Sequence, residues 1–145
     1  EQLLDSLTRL KEQKPLVVSR PLTHETAAEM RRLLVRVTEE GGTGTKARVP
    51  EYRVGGKTGT AQKVVAGSYS DLLNLASFMG FIPAEDPRLA IIVVLDEPKN
   101  VRTGGAVAAP VFSEIAEQLV RYLDIPPGGE TAQAGRADLA AGREL

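Results

Sequence analysis

Between Tyr52 and Val65 the chain reads as a β-strand, yet its centre is Gly55-Gly56-Lys57-Thr58-Gly59-Thr60-Ala61-Gln62. Glycines, a lysine and threonines stand where a core strand would carry valines. Glycine weakens a strand interior and marks a place where a ligand or another backbone comes close. Lysine suits an exposed edge, where charge discourages unwanted pairing, and Thr60 is β-favoured. The segment therefore reads either as an ordinary edge strand or as one built to meet an extended ligand. A lysine flanked by hydroxyls offers such a ligand positive charge and several hydrogen-bond donors, so an anionic group fits best.

The bulk of the chain narrows the partners. Its 145 residues suffice for one domain with a real core. With 18 basic and 19 acidic residues the net charge is −1, which gives no basic face for nucleic acid. The longest apolar run, Leu89 to Leu95, is strand-sized and falls short of the roughly 18 residues that span a bilayer. No basic and apolar leader opens the sequence. Cysteine is absent, which excludes disulfides and thiolate metal sites and leaves the compartment open.

Three helices, three strands and one further short strand candidate are expected along the chain. Residues 1 to 13 place Leu3, Leu4, Leu7 and Leu10 on one helical face, ended by Lys14-Pro15. Leu16-Val17-Val18 is a short strand candidate. Thr23 caps a helix with Glu25 in its first turn; Ala27, Met30, Leu33, Leu34 and Val37 form its apolar side, and Gly41-Gly42 stops it. Thr43 to Pro50 is a loop. Strands follow over about residues 53 to 65, 75 to 82 and 89 to 96, the last two paired as a hairpin through Pro83 to Arg88. The last strand, Ala90 to Leu95, lacks alternation, which implies cover on both faces. A final helix is expected over about 106 to 123, with Pro110 in its first turn. The fold class is α/β (α+β), a three-stranded antiparallel sheet packed by the last helix and the helix of residues 23 to 40. Residues 128 to 145 carry little to bury and read as a disordered tail.

Other chemistries fit less well. Gly56-Lys57-Thr58 would complete a phosphate-binding loop only with glycine at position 51, which is Glu51. Gly41 to Lys46 is read as a helix end running into a flexible loop rather than a second anion cradle. His24 stands alone as a surface residue at a helix start, and no Gly-x-Ser-x-Gly occurs. Asp86, Asp96 and Glu97 read as solvated turn residues. Gly104-Gly105 should let the last helix approach the sheet closely.

Lys-Thr-Gly is also one of three signatures of serine penicillin-recognising enzymes. Its neighbours are Gly41-Gly42-Thr43-Gly44, Ala76-Ser77-Phe78-Met79-Gly80-Phe81-Ile82-Pro83, Asp96-Glu97-Pro98 and Gly104-Gly105-Ala106-Val107-Ala108-Ala109-Pro110. In this order the series resembles the C-terminal part of the transpeptidase domain of class B penicillin-binding proteins, the division-type peptidoglycan D,D-transpeptidases. The resemblance covers roughly residues 15 to 127, leaving 1 to 14 as an amphipathic segment that departs from the family pattern. It implies a fragment of the penicillin-binding-protein/serine β-lactamase-like fold, with the Lys57 strand edging the cleft. It further implies that Lys57 assists proton exchange among active-site hydroxyls and that Thr58 and Thr60 bind the terminal carboxylate of a D-Ala-D-Ala stem or a β-lactam. Gly59 leaves room for that backbone, and the Thr60 amide serves the oxyanion hole.

No Ser-x-x-Lys or Ser-x-Asn occurs, so the nucleophile is expected upstream, in a missing half of the domain, and the chain alone is expected to be inactive. The implied setting is the outer face of the bacterial cytoplasmic membrane, anchored by a segment outside this chain, with cell-division proteins as possible partners and no cofactor or metal. A non-catalytic module binding D-Ala-D-Ala or a protein, and a fragment of a serine β-lactamase-type hydrolase, remain open.

Overall fold

The structure, a computed structural model, describes residues 18–128. The expected helix over residues 1 to 13, the apolar pair Leu16-Val17 and the tail past Gly128 lie outside these residues; Val18 belongs to no strand.

Alternation and turn chemistry build the sheet. Strand β1 (Gly55–Val65) turns at Ala66-Gly67 into β2 (Ser68–Ile82), and β3 (Leu89–Asp96) follows after the Pro83–Arg88 loop. Ala66 and Gly67 both have positive φ, 50° and 84°, which matches the twist of a tight two-residue hairpin. Among the described residues the sheet is three-stranded and antiparallel in the order β1-β2-β3. The expected β2–β3 hairpin forms, with Ile82 opposite Leu89. β2 begins at Ser68 rather than at 75, because Ser68 and Tyr69 pair with Val65 and Val64 in a second hairpin that their polar surroundings conceal. The register slips between Gln62 and Val64, placing an irregularity at Lys63.

Helix α1 (His24–Val35) and helix α2 (Gly104–Tyr122) flank the sheet. Thr23 Oγ1 accepts the Thr26 N–H at 3.2 Å, as its capping role requires. Glu25 sits in the first turn, its carboxyl held below the ordinary range by a backbone N–H and by the Thr23 hydroxyl. α1 ends at Val35, short of the expected residue 40. The Thr38 hydroxyl donates to Val54 O at 2.7 Å and lies 3.0 Å from Val35 O, so the chain turns toward the sheet instead of adding helix. Only Val35 of α1 is buried; Met30 and Leu33 are exposed, so its apolar side is less covered than its spacing suggested.

α2 supplies the core. Ala108, Phe112, Ala116 and Val120 repeat at helical spacing and are buried against Phe78, Ile82 and Val93. The rings of Phe78 and Phe112 meet edge to face with centroids 4.9 Å apart. Each such side chain contributes about 1.5–3 kcal/mol on burial. α2 starts at Gly104, earlier than expected, so Pro110 lies beyond its first turn and has no N–H for the Ala106 carbonyl. β3 does not have both faces covered. Val93 is buried toward α2 with Ile91 and Leu95 packed beside it, while Ile92 is 64% and Val94 53% exposed on the opposite face. The apolar run therefore hid an ordinary alternation. Finally, Tyr52 O–H donates to Ile125 O at 2.6 Å and ties the end of α2 to the chain entering β1.

Candidate active-site edge

The first turn of α2 is glycine because it lies directly on sheet backbone. A side chain at Gly104 would collide with the Ser77 carbonyl and stand 2.5 Å from the Gly59 carbonyl; one at Gly105 would collide with the Thr43 carbonyl. This close approach was expected. It brings the Gly104 N–H to Thr60 Oγ1 at 3.3 Å, so a helix-start donor that would otherwise lack a partner engages a β1 hydroxyl.

Strand alternation then divides the site residues between two faces. Register places Thr58 opposite Phe78 and Thr60 opposite Ala76, on the α2 side, whereas Lys57 lies opposite Met79 and Gly59 opposite Ser77, on the open side. A side chain at Gly59 would strike Ser77 Oγ. Lys57 is exposed and its ammonium donates to the Thr58 carbonyl at 2.9 Å, with the Thr58 hydroxyl 3.4 Å away. Lys57 therefore folds over the strand edge rather than into the core. Among the described residues no strand pairs with the outer edge of β1.

Beside that edge lies a cleft of about 440 Å³, lined by the threonines at 43, 45, 58, 60 and 103, by Lys46, and by the start of α2. Hydroxyls, one ammonium and the positive end of a helix dipole suit an anion of carboxylate size. Thr43 and Thr58 hydroxyls are 3.0 Å apart. The Gly41–Lys46 loop is thus not the loose helix end expected from its glycines. Gly44 is buried, its N–H donates to Val37 O at 2.8 Å, and the loop delivers Thr43, Thr45 and Lys46 to the cleft. Alternating threonines through Gly-Gly-Thr-Gly-Thr-Lys were the available signal. A second groove, of about 220 Å³, runs past Arg31, Arg32 and Arg53, but Arg32 is paired with Glu29 and Arg53 with Glu39 and Glu85.

Asp96 and Glu97 are not simple solvated turn residues either. Lys63, at the irregularity of β1, reaches both at 2.6 and 2.7 Å, clamping β1 to the end of β3. Its pKa is raised by the hydrogen bond to Asp96 first and that to Glu97 second. His24 is exposed, as expected, and no cluster of metal-ligating side chains occurs among the described residues.

Comparison with known proteins identifies the family. The family model described as penicillin binding protein transpeptidase domain matches residues 2–117. Stage V sporulation protein D of Bacillus subtilis is 41% identical over 130 residues, covering 88% of this chain and 20% of that protein. A probable peptidoglycan D,D-transpeptidase PenA of Neisseria flavescens is 44% identical over 109 residues, covering 74% and 27%. The transpeptidase domain of Burkholderia pseudomallei penicillin-binding protein 3, in its apo structure, superposes with a TM-score of 0.73 at 40% identity, covering 81% of this chain and 36% of that one. The chain thus spans about a quarter or less of these curated relatives. Family model, sequence relatives and fold converge: the chain belongs to the penicillin-binding-protein transpeptidase domain family.

Proposed function

We propose that this chain forms the Lys-Thr-Gly side of the active site of a peptidoglycan D,D-transpeptidase, completed by an upstream half that carries the serine nucleophile. The observation that carries the reading is the junction of β1 and α2. There the Thr58 and Thr60 hydroxyls line one cleft with a helix start, and Lys57 lies on the open face of the same strand. Thr58 and Thr60 bind the terminal carboxylate of a D-Ala-D-Ala stem, or of a β-lactam. Gly59 keeps the strand bare where the substrate backbone passes.

In the reaction, the serine oxygen bonds to the carbonyl carbon of the penultimate D-Ala and the serine proton passes to the departing D-Ala nitrogen. The acyl group then moves to an amine of a neighbouring stem, which loses a proton and frees the serine. Lys57 supplies positive field for these proton transfers. The Thr60 N–H is one of two oxyanion donors, and losing one such donor costs about 10²–10³ in rate. The parent enzyme works outside the cytoplasmic membrane, alongside other cell-wall and division proteins, and β-lactams acylate it.

The test uses the longer natural protein containing both halves. Lys57→Ala and Lys57→Arg should each cut acylation by a labelled penicillin by orders of magnitude while the fold persists. Arginine fails because a planar guanidinium does not replace a compact ammonium. Full acylation in either variant would remove Lys57 from the chemistry.

A further inference from the structure

Asn74 is a buried amide in β2, opposite Gln62 of β1, that the acyl-transfer reading leaves unused. Burying a polar side chain is unfavourable unless it makes hydrogen bonds. Its Nδ2 donates to the Arg102 carbonyl at 2.6 Å, and its main-chain carbonyl accepts the Glu97 N–H at 3.0 Å. One residue thus grips both ends of the 97–102 loop. Its Oδ1 is buried and has no hydrogen-bond partner among the described residues. An unpaired buried acceptor is costly, and the bond that the side chain does make comes from its donor half.

What the loop leads into is α2. Thr103, the residue before the helix, makes no side-chain capping bond. The position of the helix start is set by its seat on the sheet backbone, by the Gly104 N–H contact to Thr60 Oγ1 at 3.3 Å and by what holds residues 97–102. A hydroxyl oxygen that accepts an N–H keeps its own O–H as a donor, the role a carboxylate needs. Asp96 and Glu97, clamped by Lys63, fix the near end of the same loop.

We propose that Asn74 is a positioning residue for the Thr60 hydroxyl: by anchoring residues 97–102 it sets where α2 begins, and the Gly104 amide then holds Thr60 ready to donate to the substrate carboxylate. This rests on the transpeptidase reading above. Asn74→Leu, in the longer natural protein, keeps the branching of the side chain while deleting the grip on Arg102 and the orphaned Oδ1 together, so melting temperature changes little. With a thioester acyl donor ending in a free carboxylate, the acylation efficiency of this variant falls about ten-fold, the worth of one ordinary hydrogen bond, and the loss lies in KM rather than kcat. With the same donor carrying a primary amide in place of the carboxylate, efficiency is unchanged. Asn74→His, whose Nδ1–H takes the place of the Asn amide N–H, restores the carboxylate preference.

Thr60→Val gives the reference loss, and adding Asn74→Leu to it lowers efficiency no further. A folded Asn74→Leu with wild-type selectivity, or with equal losses on both donors, overturns the role of Asn74 while Thr60→Val keeps its selective loss. If Asn74→Leu does not fold, Asn74→Ser, whose hydroxyl is too short to reach Arg102, decides in the same way. Should Thr60→Val itself treat both donors as the wild type does, the carboxylate assignment fails instead.

Discussion

Gly104→Ala sets two effects of opposite sign against each other at the helix start. Alanine is preferred over glycine within a helix by up to about 1 kcal/mol, so propensity alone favours the variant. Against this, the new methyl collides with the Ser77 carbonyl and stands 2.5 Å from the Gly59 carbonyl, where ordinary contact begins at 3.4 Å. Both obstacles are backbone atoms of paired strands rather than mobile side-chain ends. The start of α2 must back away by about 1 Å, and overpacking of this kind costs about 1–3 kcal/mol. Taking the upper part of that range, since backbone yields least, the net loss is about 2 kcal/mol. For a domain of this size about 4 °C accompanies each kcal/mol, so the melting temperature falls by roughly 8 °C. Circular dichroism of the purified chain reads this directly. The displaced amide also leaves Thr60, and penicillin acylation in the longer protein should fall with it. Gly67→Ala is the control: its φ of 84° makes alanine strained, yet nothing lies within 4 Å, so stability drops about 1 kcal/mol and acylation stays intact. An unchanged or raised melting temperature for Gly104→Ala would refute the close approach of helix and sheet.

The isolated chain, having no Ser-x-x-Lys, should form no denaturant-resistant adduct with a labelled penicillin; stoichiometric labelling on a gel would expose another nucleophile. Phe112→Ala removes a fully buried ring packed on Phe78 and costs about 3–5 kcal/mol in denaturant titrations, a loss under 1 kcal/mol contradicting its place in the core. Stability falls on the alkaline side. The ion-paired Lys63 has a raised pKa, so its contribution is present below about pH 10.4 and disappears as pH rises through the folded value. Tyr52 acts in the same direction, because burial first and the charges of Glu51 and Asp124 next raise its pKa, and the unfolded chain ionises its tyrosine near pH 10. Denaturant midpoints of Lys63→Met/Tyr52→Phe should therefore decline less steeply above about pH 9 than those of the wild type; parallel declines would contradict both assignments.

The edge character of β1 was legible because alternation and composition disagreed within a single strand: Lys57 and the glycines could not fill a core. The close seat of α2 was legible in Gly104-Gly105 for the same local reason. What escaped was non-local. Ser68, Tyr69 and Asn74 lack the apolar alternation of a strand, and only pairing with β1 makes them one. Ile92 and Val94 look identical to Val93 in sequence, and only the position of α2 separates covered from open faces. The spacing of Met30, Leu33 and Val37 continued a helix that Thr38 ends through a bond to Val54, sixteen residues away. Thr43 reaches the site through Thr58, and Lys63 clamps β1 to the end of β3 through Asp96 and Glu97, contacts that no local pattern announces.

The central claim is that the Thr58 and Thr60 hydroxyls receive the substrate carboxylate at the start of α2. A crystal structure of the penicillin acyl-enzyme, in the protein containing both halves, measures this directly. A carboxylate oxygen should lie at hydrogen-bond distance, roughly 2.5–3.0 Å, from each of the two hydroxyls, with the open face of Lys57 turned toward the acylated serine. A carboxylate seated away from both threonines, with the β1 edge left empty, would contradict it.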